Sequence, residues 1–157
     1  MTIPRRLVAD RVAARLATVT NAVGYFGQVG RGLDGELGGD PAPKSKADLR
    51  VRPYFVLFPG GGSPGSEEDL ADTYVDLEIL FRISAVAGDM DDLLALIDRI
   101  DQCLRRWAPS PIATESGLVI CGPLRPPPGY DPPVMTTENY TPPRHWIPLQ
   151  YVLTAHT

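Results

Sequence analysis

The chain has 157 residues, 43% of them apolar, with 17 prolines, 15 glycines and a formal net charge of -4. That length and apolar share predict one domain (residues 1–157) with a real core and exclude wholesale disorder. No apolar run approaches the roughly 20 residues a membrane-spanning helix needs. The start MTIPRRLVADRVAARL is basic but lacks the apolar stretch of a secretory signal, so the protein is expected to act where it is made.

The charge is unevenly spread. Residues 1–52 carry nine Lys/Arg against five Asp/Glu, residues 53–101 two against eleven, and residues 102–157 four against three. A sequence-reading nucleic-acid binder normally carries a basic stripe on its docking element, whereas here the centre of the chain is acidic. Cys103 and Cys121 lie in a helix-patterned and a strand-patterned segment, and read as reduced, part-buried small hydrophobes.

Taken in order, residues 3–19 are expected to form a helix. Val8, Val12, Leu16 and Val19 recur at three- and four-residue spacing with Leu7 beside them, and arginines fill the other faces. Thr2 is a candidate cap and Pro4 suits a first turn. Residues 22–29 (AVGYFGQV) read as a strand weakened by Gly24 and Gly27. Residues 30–50 have no period and read as a loop of about 20 residues, long for a compact domain and therefore functional or ordered against a partner. Residues 52–58 (RPYFVLF) predict a second strand with Tyr54, Val56 and Phe58 on one face, closing through PGGGSPGSEED onto the next.

Residues 73–86 (TYVDLEILFRISAV) are the best-patterned stretch. Val75, Leu77, Ile79, Phe81, Ile83 and Ala85 alternate with Tyr74, Asp76, Glu78, Leu80, Arg82 and Ser84, as in a strand with one face in the core. Its partner in the preceding strand is expected to be antiparallel. Residues 89–107 follow as a helix with Met90, Leu93, Leu94, Ile97, Ile100, Leu104 and Trp107 on the apolar face. Asp89 is placed as its N-cap, Asp91 and Asp92 in its first turn, and Arg105 and Arg106 in its last. Residues 118–124 predict a short strand. Residues 125–145 are proline-dense and read as an extended second loop. Residues 146–155 alternate again, with Pro148 arguing for an edge or a bulge. The result is an α+β fold: a mostly antiparallel sheet of about five strands with two helices packed on one face.

Chemical motifs are weak. Gly30, Gly32 and Gly35 match a dinucleotide-binding spacing, but no helix pattern follows to hold a pyrophosphate. Gly60 and Gly65 have phosphate-loop spacing, yet Ser66 stands where a lysine is needed. Helix capping accounts for Asp89, Asp91 and Asp92 without a cation. Neither His145 nor His156 adjoins a nucleophile in a recognisable setting. The residues therefore point to no catalytic site, no metal site and no cofactor, and the chain reads as a non-enzyme.

The order and style of the segments LVADRVAARLATV, RPYFVLFPGGG, TYVDLEILFRISAV, DMDDLLALIDRIDQCLRRW and HWIPLQYVLTA resemble the tail terminator proteins of long-tailed (siphovirus-type) bacteriophages, in particular those of actinobacterial hosts. The resemblance implies a structural protein of the virion, assembled in the host cytoplasm without membrane contact. It implies a self-associated ring, typically a hexamer, at the head-proximal end of the tail. Such a ring caps the major tail tube protein, ends its polymerisation, and offers a surface to a head-completion or stopper protein. Genomic double-stranded DNA passes through its bore without sequence-specific binding. Another neck ring (a head-closure or adaptor protein) and a small ligand-binding α+β domain are the alternatives. On this reading Asp76, Glu78 and Arg82 face either the bore or a neighbouring subunit. An acidic bore would let DNA slide, because it offers phosphates no cations; equally, these acids could simply solvate the outer sheet face. Arg31, Leu33, Leu37, Tyr130 and Tyr140 are the candidate partner contacts on the two loops.

Overall fold

The computed structural model describes residues 3–37, 47–64 and 76–157. The expectations for Thr2, Gly65, Ser66, Thr73, Tyr74 and Val75, and for the middle of the first loop, lie outside the described residues. Among the described residues two helices, α1 (Arg5–Leu16) and α2 (Met90–Leu104), accompany eight strands: β1 (Val23–Phe26), β2 (Tyr54–Pro59), β3 (Ser63–Pro64), β4 (Asp76–Ala87), β5 (Ile112–Thr114), β6 (Gly117–Cys121), β7 (Met135–Thr137) and β8 (Arg144–His156). The α+β class holds, but the sheet is larger than the expected five strands. The additional ones, β3, β5 and β7, have only two or three residues each, too few to show a period.

The sheet order is β1-β2-β4-β8-β6-β5, with β3 paired to β4 and β7 to β8. Its centre is the antiparallel β4–β8 ladder, which runs in unbroken register from Asp76 opposite His156 to Ala87 opposite His145. β2 lies antiparallel on the other side of β4, as expected from their spacing. β1, however, runs parallel to β2, which makes the sheet mixed. A parallel neighbour cannot be reached by a tight turn and needs a crossover of a dozen or more residues. The long segment between Phe26 and Tyr54 therefore has a topological reason for its length.

Alternation along β4 decides the layers. Leu77, Ile79, Phe81, Ile83, Ala85 and Ala87 are buried and share one core with Val8, Val12 and Leu16 of α1 and Leu93, Leu96 and Ile100 of α2. β8 adds Leu153, Tyr151 and Ile147 to that core, opposite Ile79, Phe81 and Ala85. A smaller cluster of Tyr25, Val51, Tyr54, Val56 and Val86, with Trp146 against it, lies apart from the main core. It occupies the sheet face away from the helices, since Tyr54 and Trp146 both pair with Val86.

Pro148 sits in the long central strand without breaking it. Val152 exchanges both backbone hydrogen bonds with Arg125, on the side of β8 away from β4. Pro148 is four residues earlier, so its ring nitrogen faces the same way. β7 pairs with β8 only at residues 144–146, so at Pro148 that side of β8 is locally an edge and no ladder bond is lost.

The helices depart from their expected limits. Asp89 caps α2 as predicted, its Oδ1 accepting from the backbone N–H of Asp91 at 2.8 Å and of Asp92 at 3.4 Å. The helix ends at Leu104, so Arg105 is its C-cap and Arg106 takes a left-handed φ of 65°, rather than both arginines lying in the last turn. Met90 and Leu94 are 39% and 49% exposed, and Leu96 and Cys103 take the core positions assigned to them. In α1, Leu7 is exposed and Ala9 and Ala13 are buried instead. Arg15 is not a solvated charge: its Nε donates to the Cys103 carbonyl at 3.0 Å and its guanidinium lies 5.5 Å from the Trp107 ring centre. No described helix is long and apolar enough to cross a membrane.

Candidate functional site

The sheet face away from the helices is the part of the molecule with the most unexplained surface. Even-numbered residues of β4 and β8 line it in facing pairs: Asp76 with His156, Glu78 with Thr154, Leu80 with Val152, Arg82 with Gln150, Ser84 with Pro148 and Val86 with Trp146. β2 extends it with Tyr54, Val56 and Phe58, opposite Val86, Ser84 and Arg82. The same alternation that buries one side of β4 forces these side chains outward.

Two adjoining depressions open on this face. One, of about 260 Å³, is bounded by Tyr54, Val56, Phe58, Tyr140, Arg144 and Trp146. The other, of about 490 Å³, is bounded by Phe58, Arg82, Tyr130, Trp146, Pro148 and Gln150. Phe58, Ser84 and Trp146 belong to both, so the two form one groove. The second loop builds its wall. The Tyr130 hydroxyl donates to the Pro148 carbonyl, while β7 docks on the start of β8 and the Thr136 hydroxyl lies 2.9 Å from His145 Nδ1. Arg144 stacks 3.9 Å from the Tyr140 ring centre and donates to the Tyr54 hydroxyl at 3.4 Å. Burial raises the Tyr54 phenol above its ordinary pKa, and the Arg144 charge opposes part of that rise. Tyr54 in turn meets Tyr25 edge to face, with ring centres 5.9 Å apart.

The candidate residues fall into separate places. Glu78 and Arg82 are exposed on the open face, and neither carboxylate nor guanidinium has an ion-pair partner among the described residues. Asp76 lies at the end of the same face but is half-buried, and its Oδ1 lies 2.7 Å from His156 Nδ1. Tyr130 and Tyr140 reach the same face and wall the groove. The described candidates of the first loop have their contacts elsewhere. Arg31 donates to the Gly35 carbonyl and stacks 5.5 Å from the Phe26 ring centre. Leu33 packs against the main core and, with Asp34, borders a depression along α1. Leu37 is exposed and bridges back to Arg31. Residues 30–37 thus fold onto β1 and α1 and do not line the groove, whose nearest residue in this part of the chain is Val29.

Tyr54, Phe58, Arg144 and Trp146 escaped notice as site residues. Their signal was present in part, because Tyr54, Val56 and Phe58 already share one strand face by alternation. The arginine and tryptophan come from a strand some 90 residues later in the chain, and nothing local announces that they meet.

No family model matches the chain, and no curated protein matches it either.

Proposed function

We propose that the protein is a structural ring subunit of a phage tail, the terminator that caps the tail tube, ends its growth and presents a surface to the head. One observation carries the reading: the sheet is closed by helices on one face and left open on the other. Phe58, Leu118 and Ile120 stand exposed on that open face, the last two on the same side of β6 as His156. The groove around Phe58, bordered by Val56 and Trp146, is the apolar part of this face, and an exposed apolar patch marks an interaction site. Heterologous contact between this face and the helix-bearing side of a second copy closes into a ring when the rotation per subunit allows. The order and style of the chain resemble terminators, and that resemblance supplies the position in the virion.

The test mixes the purified protein with polymerising tail-tube subunits. Tubes should stop at a shorter mean length as the protein is added, each bearing one ring at one end in electron micrographs. Rings that leave tube length unchanged but bind portal-bearing heads would assign the protein to the head-closure position. A monomer without effect on either would remove the ring reading.

A further inference from the structure

The apolar arc of α2 is wider than its core contact. Leu93, Leu96 and Ile100 seat the helix on the sheet, yet Met90 and Leu94, one turn apart, project beside them into solvent. Asp91 and Asp98 flank this pair on the outer side, at the next positions of the same helical sector. Both are exposed, and neither carboxylate has an ion-pair partner among the described residues. The outer strip of α2 is therefore apolar and negative. The groove on the opposite sheet face is aromatic and positive: Arg82 and Arg144 line it, and among the described residues no Asp or Glu does.

We infer that α2 of one copy seats its Met90–Leu94 strip in the sheet groove of the next copy. The inference rests on the ring reading and names the surfaces that build the ring. Lengths agree: the strip from Met90 to Asp98 rises about 12 Å along the helix, and the groove floor from Arg82 to Val86 runs about 13 Å along the strand. Charges agree as well, Asp91 and Asp98 meeting Arg82 and Arg144, and matched charge sets register and discriminates against wrong partners. The two surfaces lie on opposite layers of one subunit, so the contact is heterologous and propagates around a ring. It also decides where Arg82 looks: toward a neighbouring subunit, not toward a bore.

The experiment uses two full-length variants, Leu94→Arg and Phe58→Arg, each altering an exposed side chain, with thermal melts confirming the fold. Each alone should weaken assembly by about tenfold or more, read by sedimentation and by ring counts in micrographs. Mixed one to one, they should form dimers and stop there, because each mixture retains one intact pair of surfaces. A second arm combines Arg82→Glu with Asp98→Arg, expected to recover assembly that either change alone reduces. Wild-type-like rings from either single variant overturn the proposed contact and leave the ring reading standing. Dimers from Phe58→Arg alone also overturn it, since helix would then pair with helix. A wild-type chain that stays monomeric at every concentration, alone and with tube subunits, overturns both.

Discussion

The hydroxyl of Tyr151 donates to Asp101 Oδ1 across 2.9 Å, joining the middle of β8 to the end of α2. The other oxygen of Asp101 accepts from Arg105 Nε at 2.8 Å, one turn on. Tyr151 is 2% exposed, whereas the Asp101 carboxylate keeps some access to water. The two ends of the bond should therefore respond unequally to deletion. Tyr151→Phe removes the bond and leaves a carboxylate that water can reach, costing about 1 kcal/mol. Asp101→Ala leaves a buried hydroxyl without its acceptor, costing about 2–3 kcal/mol. Urea denaturation of both variants measures the difference.

Burial first, and then the bond to Asp101, raise the Tyr151 phenol far above its ordinary value of 10.0. The folded chain thus holds this proton more tightly than the unfolded chain does. The contribution to stability is complete below the unfolded value and declines as pH rises beyond it. Wild type should lose stability above about pH 10, and Tyr151→Phe should show a shallower loss over the same range. Equal slopes in alkaline denaturation profiles would contradict this.

The orientation of α2 is tested by neighbouring leucines. Leu96 is fully buried and Leu94 is 49% exposed. Leu96→Ala should cost about 2–5 kcal/mol through lost burial and a residual cavity, and Leu94→Ala less than about 1 kcal/mol. Chemical denaturation of the two variants distinguishes this placement from one with Leu94 in the core.

That distinction also shows where sequence periodicity stops informing. The alternation of β4 is readable because it persists for 12 residues and because one face is covered completely. The helix α2 is readable for its existence and its Asp89 cap, but its apolar residues span more of the circumference than the sheet covers. Periodicity locates that arc and cannot say which part of it the fold uses. The direction of β1 was not legible either, since a strand carries no local mark of parallel pairing. The groove was least legible. It draws on β2, β4, β8 and the proline-dense loop, and the contact of Tyr54 with Arg144 spans 90 residues, so no spacing in the chain encodes it.

Asp89 has two roles that can be separated. It caps α2, and its Oδ2 accepts from Arg50 Nη1 at 3.1 Å in a pair that is about half exposed on both sides. Exposed pairs contribute little, while a lost N-cap costs about 1 kcal/mol. Asp89→Ala should therefore lower the melting temperature clearly. Asp89→Asn, which keeps an accepting oxygen, and Arg50→Ala should each lower it only slightly. A large effect of Arg50→Ala in thermal melts would shift the weight from the cap to the ion pair.

The run Gly60-Gly61-Gly62 reads as one flexible turn, but its members are not equivalent. A Cβ on Gly60 would lie 2.5 Å from the Leu80 carbonyl oxygen, backbone that Gly60 itself holds by donating to that oxygen at 2.8 Å. Neither partner can withdraw without opening the β2–β4 pairing. On Gly61 a Cβ meets nothing within 4 Å. Gly62 combines a φ of +79° with the Leu77 side chain 2.8 Å from the same point. Gly60→Ala and Gly62→Ala should each destabilise by about 1–3 kcal/mol, the first through backbone crowding and the second through conformational strain. Gly61→Ala should stay within about 0.5 kcal/mol of wild type. Three parallel denaturation curves decide it, and three equal midpoints would show that the turn is interchangeable along its length. The glycine that resembled part of a phosphate loop, Gly60, is then required by the neighbouring strand's carbonyl instead.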